Sequence, residues 1–279
     1  VPPPWGATGP RLLVAAATIT GLSIVGMLAG RYLTAYAVAA TVGVFTVIAE
    51  IPALTTAIPG QRMLGVLIWL LVIVLSRVDL LAERLARLPI PAFPSGSGRY
   101  LGRPVGPAGS DALAPINAPP DPAALMAQTI RANHFMTGLL AGAGVVGTIL
   151  TALLAASAPN SWAWTVLAAG IPIMFAYRTF HFAGLTNVVC LLCGTFGATL
   201  ALAVTLAWHH SLWWGAIVTA GAAVLAAAAP STIPSRSNPQ TPLTRSVRVV
   251  SENLVCLAVV VAPIILLRVP QMVYNRSFQ

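Results

Sequence analysis

Three cysteines are the side chains of this sequence best suited to redox or metal chemistry. Cys190 and Cys193 form a C-x-x-C pair, and Cys256 stands alone nearer the C-terminus. All three lie inside apolar runs. A redox or metal site needs polar neighbours or a second pair of ligands. The pattern therefore predicts that the cysteines pack as small apolar residues on buried helices and bind no metal or cofactor.

The histidines and acids offer little for catalysis. His134, His181, His209 and His210 all fall at the ends of apolar runs, and none of the six acids lies at the centre of one. Ion-coupled transporters usually keep an ionisable residue near the membrane midplane. Glu50 comes nearest, but Ile51-Pro52 follows it and predicts a helix end there. Phosphate-binding-loop, nucleophile-elbow and H-E-x-x-H motifs are absent from the sequence, so no catalytic residue is predicted.

The composition indicates which solvent surrounds the chain. It is 57% hydrophobic and 8% charged, whereas soluble domains carry about 25% charged residues. All fifteen basic residues are arginine, and the net charge is +9. Because arginines of membrane proteins collect in cytoplasmic loops, this charge favours a membrane protein over a nucleic-acid binder.

The apolar runs predict an all-α, polytopic transmembrane helix bundle with about eight spans. They do not alternate with period two, which argues against a barrel. The eight runs are Leu12–Ala29, Leu33–Ala49, Met63–Ser76, Phe135–Ala156, Trp162–Tyr177, Leu185–Trp208, Leu212–Ala229 and Leu254–Leu267. The third is short and gains length if the helix continues through Val78, Leu80 and Leu81, with Arg77 reaching towards the headgroups.

Arginine bias predicts the orientation. If the first span runs from outside to inside, eleven arginines lie inside and only Arg11, Arg62, Arg268 and Arg276 lie outside. The positive-inside rule then favours an external C-terminus. Five tryptophans are expected at the outer headgroup level: Trp162, Trp164, Trp208, Trp213 and Trp214.

A long polar segment divides the chain into three predicted regions. Residues 1–88 form a three-helix membrane part, residues 89–130 a cytosolic linker, and residues 131–279 a five-helix membrane part. The stretch Pro89–Pro122 holds nine prolines and five glycines. Such a composition predicts an extended linker without a packed core.

The segment before the linker is amphipathic. Leu81, Leu85 and Leu88 fall on one helical face, with Arg84 and Arg87 beside them. The segment is expected to continue the third span into the cytosol. Its apolar stripe fits packing on the membrane surface or on its own bundle, and it equally fits docking to a partner subunit.

Glycine spacing predicts close helix contacts. Gly26 and Gly30 are four residues apart, as are Gly138 and Gly142. Small residues at this spacing let membrane helices approach closely. The pattern suits packing within one chain or a seam between two copies.

Four features in order resemble the EccD family of type VII secretion proteins. The first is an Arg/Leu-rich helix ending in a proline phrase (Leu88-Pro-Ile-Pro-Ala-Phe-Pro94), and the second is the long linker. The third is Arg131-Ala-Asn-His-Phe-Met-Thr-Gly-Leu-Leu-Ala-Gly142, which opens the next span. The fourth is a closing helix, Val247–Ala258, followed by Pro263 in its apolar run. The resemblance covers about Met63 to the end.

The resemblance implies an architecture and a function. EccD proteins have a cytosolic ubiquitin-like domain and eleven membrane helices, so these eight spans would be the fourth to the eleventh. The start at Val1, without methionine, is then expected to be part of a longer protein. EccD is a non-catalytic scaffold that dimerises around a lipid-lined cavity, in the inner membrane, beside EccB, the ATPase EccC and EccE. The alternatives are a self-contained transporter and, less favoured by the motifs, a lipid-modifying enzyme.

Overall fold

The structure is a computed structural model. It describes residues 9–30, 32–55, 60–86, 93–94, 100–101, 122–157, 162–182, 184–209, 211, 213–218, 220–221, 250, 253–255 and 257–264. Seven long or well-bounded α-helices lie in these ranges: α1 (Gly9–Ala29), α2 (Leu33–Thr55), α3 (Gly60–Ser76), α4 (Val78–Ala86), α5 (Pro122–Ser157), α6 (Trp162–Arg178) and α7 (Leu185–His209). A 3-10 helix, Thr179–His181, follows α6, and residues 213–218 are also helical. A further short apolar helix, Asn253–Ile264, lies near the C-terminus.

Nearly all of the described residues are helical, and one pair of two-residue strands is also present. The strands β1 (Phe93–Pro94) and β2 (Tyr100–Leu101) pair antiparallel within the segment predicted as linker. By length and composition four described helices can cross a membrane, or five if a bent pair counts as one span. Backbone polar groups have no water in the bilayer core, which is why such apolar runs form helices.

Threonine hydroxyls inside the helices are satisfied locally. Thr41, Thr148, Thr151 and Thr199 each donate to the carbonyl four residues earlier, at 2.7–2.9 Å. An unsatisfied hydroxyl is costly in an apolar medium. These side chains therefore lie in the bundle interior without needing a partner from another helix.

Helix α5 is the centre of the bundle. It contacts α2, α3, α4, α6 and α7. Its Leu140 and Leu154 are fully buried, together with Ile68 and Leu71 of α3 and Phe175 of α6. The helix that opens the predicted five-helix part thus packs directly on α2 and α3 of the predicted three-helix part.

Two helix ends differ from the expectations. Helix α5 begins at Pro122, so residues 122–130, predicted as linker, are helical. Proline is favoured at the first helical position, and the following alanine, leucine and methionine residues are good helix formers. Helix α2 does not end before Pro52 but continues to Thr55. The missing N–H of a proline removes only one backbone hydrogen bond, and this helix absorbs that loss close to its end.

Helix α4 does not continue α3 in a straight line. The two helices meet at Arg77 with a bend of 65°. The bend brings Val78, Ala82 and Ala86 into buried positions. Ala82 and Ala86 form a small core with Phe135 of α5. A straight continuation would carry these residues away from α5, so burial of this face explains why the expected long third helix is broken.

Candidate functional site

A close seam joins α2 to α5 at two glycines. A Cβ atom added to Gly138 would lie 2.5 Å from the Cβ of Ala37 and 2.6 Å from the carbonyl oxygen of Thr34. One added to Gly142 would lie 2.7 Å from the Cβ of Thr41. Real Cβ atoms do not approach other atoms this closely, so the helix spacing depends on these glycines. The seam lies within one chain.

The other glycine pair divides into two roles. Gly26 of α1 faces the ring of Tyr36 on α2, and an added Cβ would lie 2.5 Å from that ring. Gly30, by contrast, has a φ of 76° and donates its N–H to the carbonyl of Met27 at 3.2 Å. Gly30 ends α1 in the left-handed backbone conformation, which glycine adopts with little strain. Gly30 therefore contributes to a turn and not to a packing face.

A second seam, between α5 and α7, was not among the predicted packing sites. A Cβ added to Gly194 would lie 2.9 Å from the Cα of Gly144. One added to Gly197 would lie 2.7 Å from the hydroxyl of Thr148. The backbones of the two helices are thus in direct contact. The spacing of Gly194 and Gly197 on α7 is the sequence signal that could have indicated this seam.

A buried polar cluster also joins α5 to α7. Asn187 is 1% exposed. Its side-chain oxygen accepts a hydrogen bond from the hydroxyl of Thr137 at 2.7 Å, and its amide nitrogen donates to the side-chain oxygen of Asn133 at 3.2 Å. Hydrogen bonds between membrane helices stabilise a bundle by about 0.6 kcal/mol on average. An asparagine at the start of an apolar run was the available signal for this contact.

One end of the bundle collects basic side chains. The hydroxyl of Thr34 on α2 lies 3.3 Å from Nδ1 of His134 on α5, and the guanidinium of Arg178 on α6 donates to the hydroxyl of Ser76 on α3 at 3.1 Å. The first contact joins the start of α2 to α5, and the second joins the ends of α6 and α3. We call this region the basic end, and its arginine and histidine residues are Arg77, Arg84, Arg131, Arg178, His134 and His181.

The predicted docking stripe is only partly covered. On α4, Leu85 is 46% exposed, Leu81 is half-buried and Arg84 is exposed. Arg87 and Leu88 lie outside the described residues. The face packed against α5 consists of Val78, Ala82 and Ala86. The helix therefore packs on its own bundle through small residues, and its leucines form an adjacent, more open flank.

The C-terminal helix is tied to α3 and α6. The indole N–H of Trp69 on α3 donates to the carbonyl of Val260 at 2.9 Å. A Cβ added to Gly170 of α6 would lie 2.8 Å from Cγ2 of Val259. Pro263 lies one turn beyond these residues. Proline disturbs the preceding helical turn, which makes carbonyls there more accessible to a side-chain donor.

Of the residues considered for chemistry, Cys190 and Cys193 are neighbours one turn apart on α7. Cys190 is half-buried and Cys193 is exposed on α7, and neither is in a disulfide. Within the described part of the chain, no three His, Cys, Asp or Glu side chains form a group that could hold a metal. His210, Cys256 and Glu252 have no described side chain.

The tryptophans divide between the surface and the core. Trp162, Trp208 and Trp213 are more than three-quarters exposed, and Trp214 is also exposed. Trp164 is buried in the main core, so its ring packs between helices and not against lipid. Trp164 follows Trp162 by two residues, and on a helix this spacing sends the two rings to different sides.

Comparisons with known proteins identify relatives over most of the chain. The model of the EccD-like transmembrane domain matches residues 1–273. The ESX-5 secretion system protein EccD5 of Mycobacterium tuberculosis is 26% identical over 174 residues, in strains CDC 1551 and H37Rv. That match covers 60% of this chain and 35% of EccD5. The chain therefore spans about a third of the length of these curated relatives.

Two solved structures resemble the fold. A chain in the structure of protomer 1 of the ESX-3 core complex has a TM-score of 0.71 and 18% identity, over 94% of this chain and 58% of that one. A chain of the MycP5-free ESX-5 inner membrane complex has a TM-score of 0.61 and 21% identity. The match covers 84% of this chain and 51% of that one. The family match extends over almost the whole sequence, and the protein belongs to the family of EccD-like transmembrane domains.

Proposed function

We propose that this chain is a membrane scaffold subunit of a type VII protein secretion complex, without catalytic activity of its own. The observation that carries the proposal is the family match over residues 1–273. The helical fold, with glycine seams and a buried polar cluster joining the helices, suits a rigid scaffold. The self-contained transporter remains the alternative, and no described ionisable residue at the middle of a span favours it.

Purification of the tagged protein from its own host in mild detergent tests this proposal. We expect a large assembly that contains an ATPase chain, because a scaffold without a nucleotide-binding motif depends on another subunit for energy. Mass spectrometry of the purified assembly identifies its chains. A small assembly of this chain alone, which transports a solute after reconstitution into vesicles, would support the transporter instead.

The proposed partners follow from membership of the family. They are a second copy of the chain, the EccB, EccC and EccE subunits, and membrane lipids, with the two copies enclosing a lipid-lined cavity. The glycine seam of α2 and α5 is occupied within the chain, so a dimer would use other faces. Exposed apolar residues such as Leu22 and Leu28 on α1, and Phe196 and Leu200 on α7, are available to lipid or to a second copy.

The proposed arrangement in the inner membrane has eight spans. Residues 1–88 and 131–279 form the two membrane parts, and residues 89–130 connect them on the cytosolic side, with the helical start of α5 included. The C-terminus is external. The collection of arginines at the basic end supports this orientation, because that end would face the cytosol under the positive-inside rule.

Cysteine labelling tests the orientation. In a variant without the three native cysteines, Ser211→Cys is expected to react with an impermeant thiol reagent in intact cells. Thr186→Cys, an exposed position at the basic end, is expected to react only after the membrane is permeabilised. The extent of labelling at each cysteine is measured on gels, because a reagent that carries a mass tag slows the migration of the labelled protein. The reverse pattern would place the C-terminus in the cytosol and contradict the proposed orientation.

The proposed contact surface for another subunit is the leucine flank of α4, formed by Leu81, Arg84 and Leu85, with Arg87 and Leu88 following in the sequence. The buried face of α4 has two flanks. By helical periodicity the leucine flank lies on one side of it, and Asp79 and Glu83 lie on the other. One side of α4 is thus apolar and basic, and the other is acidic. A partner with an apolar and acidic surface would fit the leucine flank.

A further inference from the structure

A cluster of hydrogen-bond donors lies at the basic end, where α2 begins beside α5. We call Tyr32, Thr34, Arg131 and His134 the donor cluster. Thr34 and His134 are 3.3 Å apart, and Arg131 lies one helical turn before His134 on the same side of α5. The guanidinium reaches the turn between α1 and α2, because a Cβ added to Gly30 would lie 3.3 Å from Nη2 of Arg131.

Among the described residues, Arg131 has no carboxylate within ion-pair distance. Arg131 and His134 are both exposed, and no carboxylate in the described part of the chain forms an ion pair with His134 either. Helix α4, which packs on α5, carries Asp79 and Glu83. It contacts α5 through its small apolar residues, however, and both acids are exposed. A basic group in this position attracts an anion from its surroundings.

The backbone beside the cluster is held in an unusual conformation. Tyr32 has a φ of 53°, in the left-handed region that non-glycine residues rarely adopt. Its side chain is 74% exposed. Tyrosine is enriched at the membrane–water interface, where its ring lies among the headgroups and its hydroxyl reaches water. The turn therefore carries an exposed aromatic ring two residues before Thr34.

We propose that the donor cluster binds the phosphate of an anionic phospholipid headgroup. Arginine binds phosphate oxygens through two parallel N–H groups, and His134 and Thr34 supply further polar groups from the neighbouring turn. Tyr32 would lie against the glycerol region. This inference deepens the proposed membrane function and depends on the basic end lying at a membrane surface. The proposed site binds one headgroup, and it lies within a single chain, so no contact with another subunit is needed.

Native mass spectrometry of the purified full-length protein, titrated with phosphatidylglycerol in detergent, tests the site. The wild type is expected to retain one lipid tightly. The double variant Arg131→Gln, His134→Gln is expected to bind it roughly ten-fold more weakly, since it loses the charge-assisted hydrogen bonds. Arg77→Gln is the matched control, because it removes an exposed arginine at the same end. It is expected to leave the affinity within about two-fold of the wild type.

Two further titrations identify the source of the phosphate. Phosphatidylcholine is expected to bind several-fold more weakly than phosphatidylglycerol, since its headgroup carries no net charge. Inorganic phosphate at the same concentration should not displace the lipid, whereas displacement would assign the cluster to free phosphate. Equal loss of binding in the double variant and in Arg77→Gln would mean unspecific attraction. Unchanged binding in the double variant would overturn the site.

A milder pair of variants keeps the test decisive if the double variant is poorly folded. Thr34→Val keeps the shape of the side chain and removes its hydroxyl, and Arg131→Lys keeps the charge and removes the paired N–H groups. Both are expected to weaken lipid binding, and wild-type affinity in both would contradict the proposal. The lipid titration uses the isolated chain, whereas the test of the proposed function uses the purified complex. A negative result for the lipid site therefore does not contradict the proposed function.

Discussion

Replacing Gly138 and Gly142 together with leucine is expected to lower the thermal unfolding temperature and the yield of folded protein. A single added Cβ at Gly138 already overlaps the backbone carbonyl of Thr34, and one at Gly142 overlaps the side chain of Thr41. Neither can move without shifting α2 away from α5. Overfilling a packed core costs on the order of 1–3 kcal/mol per site, and more where the obstacle is backbone. Thermal unfolding in detergent, followed by tryptophan fluorescence, measures the change.

Gly21→Leu is the matched control for this variant. Gly21 is also a glycine in a membrane helix, but nothing lies within 4 Å of a Cβ added there. Because leucine favours helix more than glycine by about 0.8 kcal/mol or slightly less, this control is expected to unfold at or above the wild-type temperature. If the double variant unfolds at the wild-type temperature, the close approach of α2 and α5 is not needed for the fold.

Replacing Leu81 and Leu85 of α4 with serine is expected to release the chain from the proposed secretion complex while leaving it in the membrane. A leucine that becomes fully buried contributes roughly 1.5–3 kcal/mol, so two of them can weaken a shared interface by more than ten-fold. The buried face of α4, formed by Val78, Ala82 and Ala86, is untouched by these changes. Affinity purification followed by quantitative mass spectrometry measures the partners retained.

The comparison variant for this experiment is Glu83→Ser. Glu83 is also exposed, and helical periodicity puts it on the acidic side of α4, across the buried face from the leucine flank. The partners should stay bound at the wild-type yield in this variant. Normal recovery of the whole complex with the double serine variant would assign the flank to lipid or to the subunit's own bundle. Membrane fractionation of each variant separates lost docking from lost insertion.

The positions of the long described helices could be predicted from the sequence because the bilayer allows few alternatives. A run such as Leu185–Trp208 must be helical if it crosses hydrocarbon, and α7 has almost these bounds. Hydropathy does not report which small residue faces a neighbour and which ends a helix. Gly26 and Gly30 therefore had the same pattern, although one packs against Tyr36 and the other has a positive φ.

The bend before α4 was not predictable from its own residues. The sequence around Arg77 contains neither proline nor glycine, so local propensity favours one continuous helix. Burial of Val78, Ala82 and Ala86 against α5 decides the direction, and that contact joins segments far apart in the sequence. The hydrogen bond between Thr137 and Asn187 could not be predicted for the same reason. The sequence shows each of them as a polar residue in an apolar region, but it does not show which residues pair.

The hydrogen bond from Trp69 to Val260 has a consequence for biosynthesis. The two residues are 191 positions apart, so the ribosome completes the acceptor long after α3 has left it. Until then the indole N–H has to bond water or a headgroup, because leaving it unpaired in hydrocarbon is costly. The side chain of Trp69 thus reaches its final hydrogen bond only after the helix that carries Val260 has been inserted. A chain truncated before that helix leaves this indole donor without its partner.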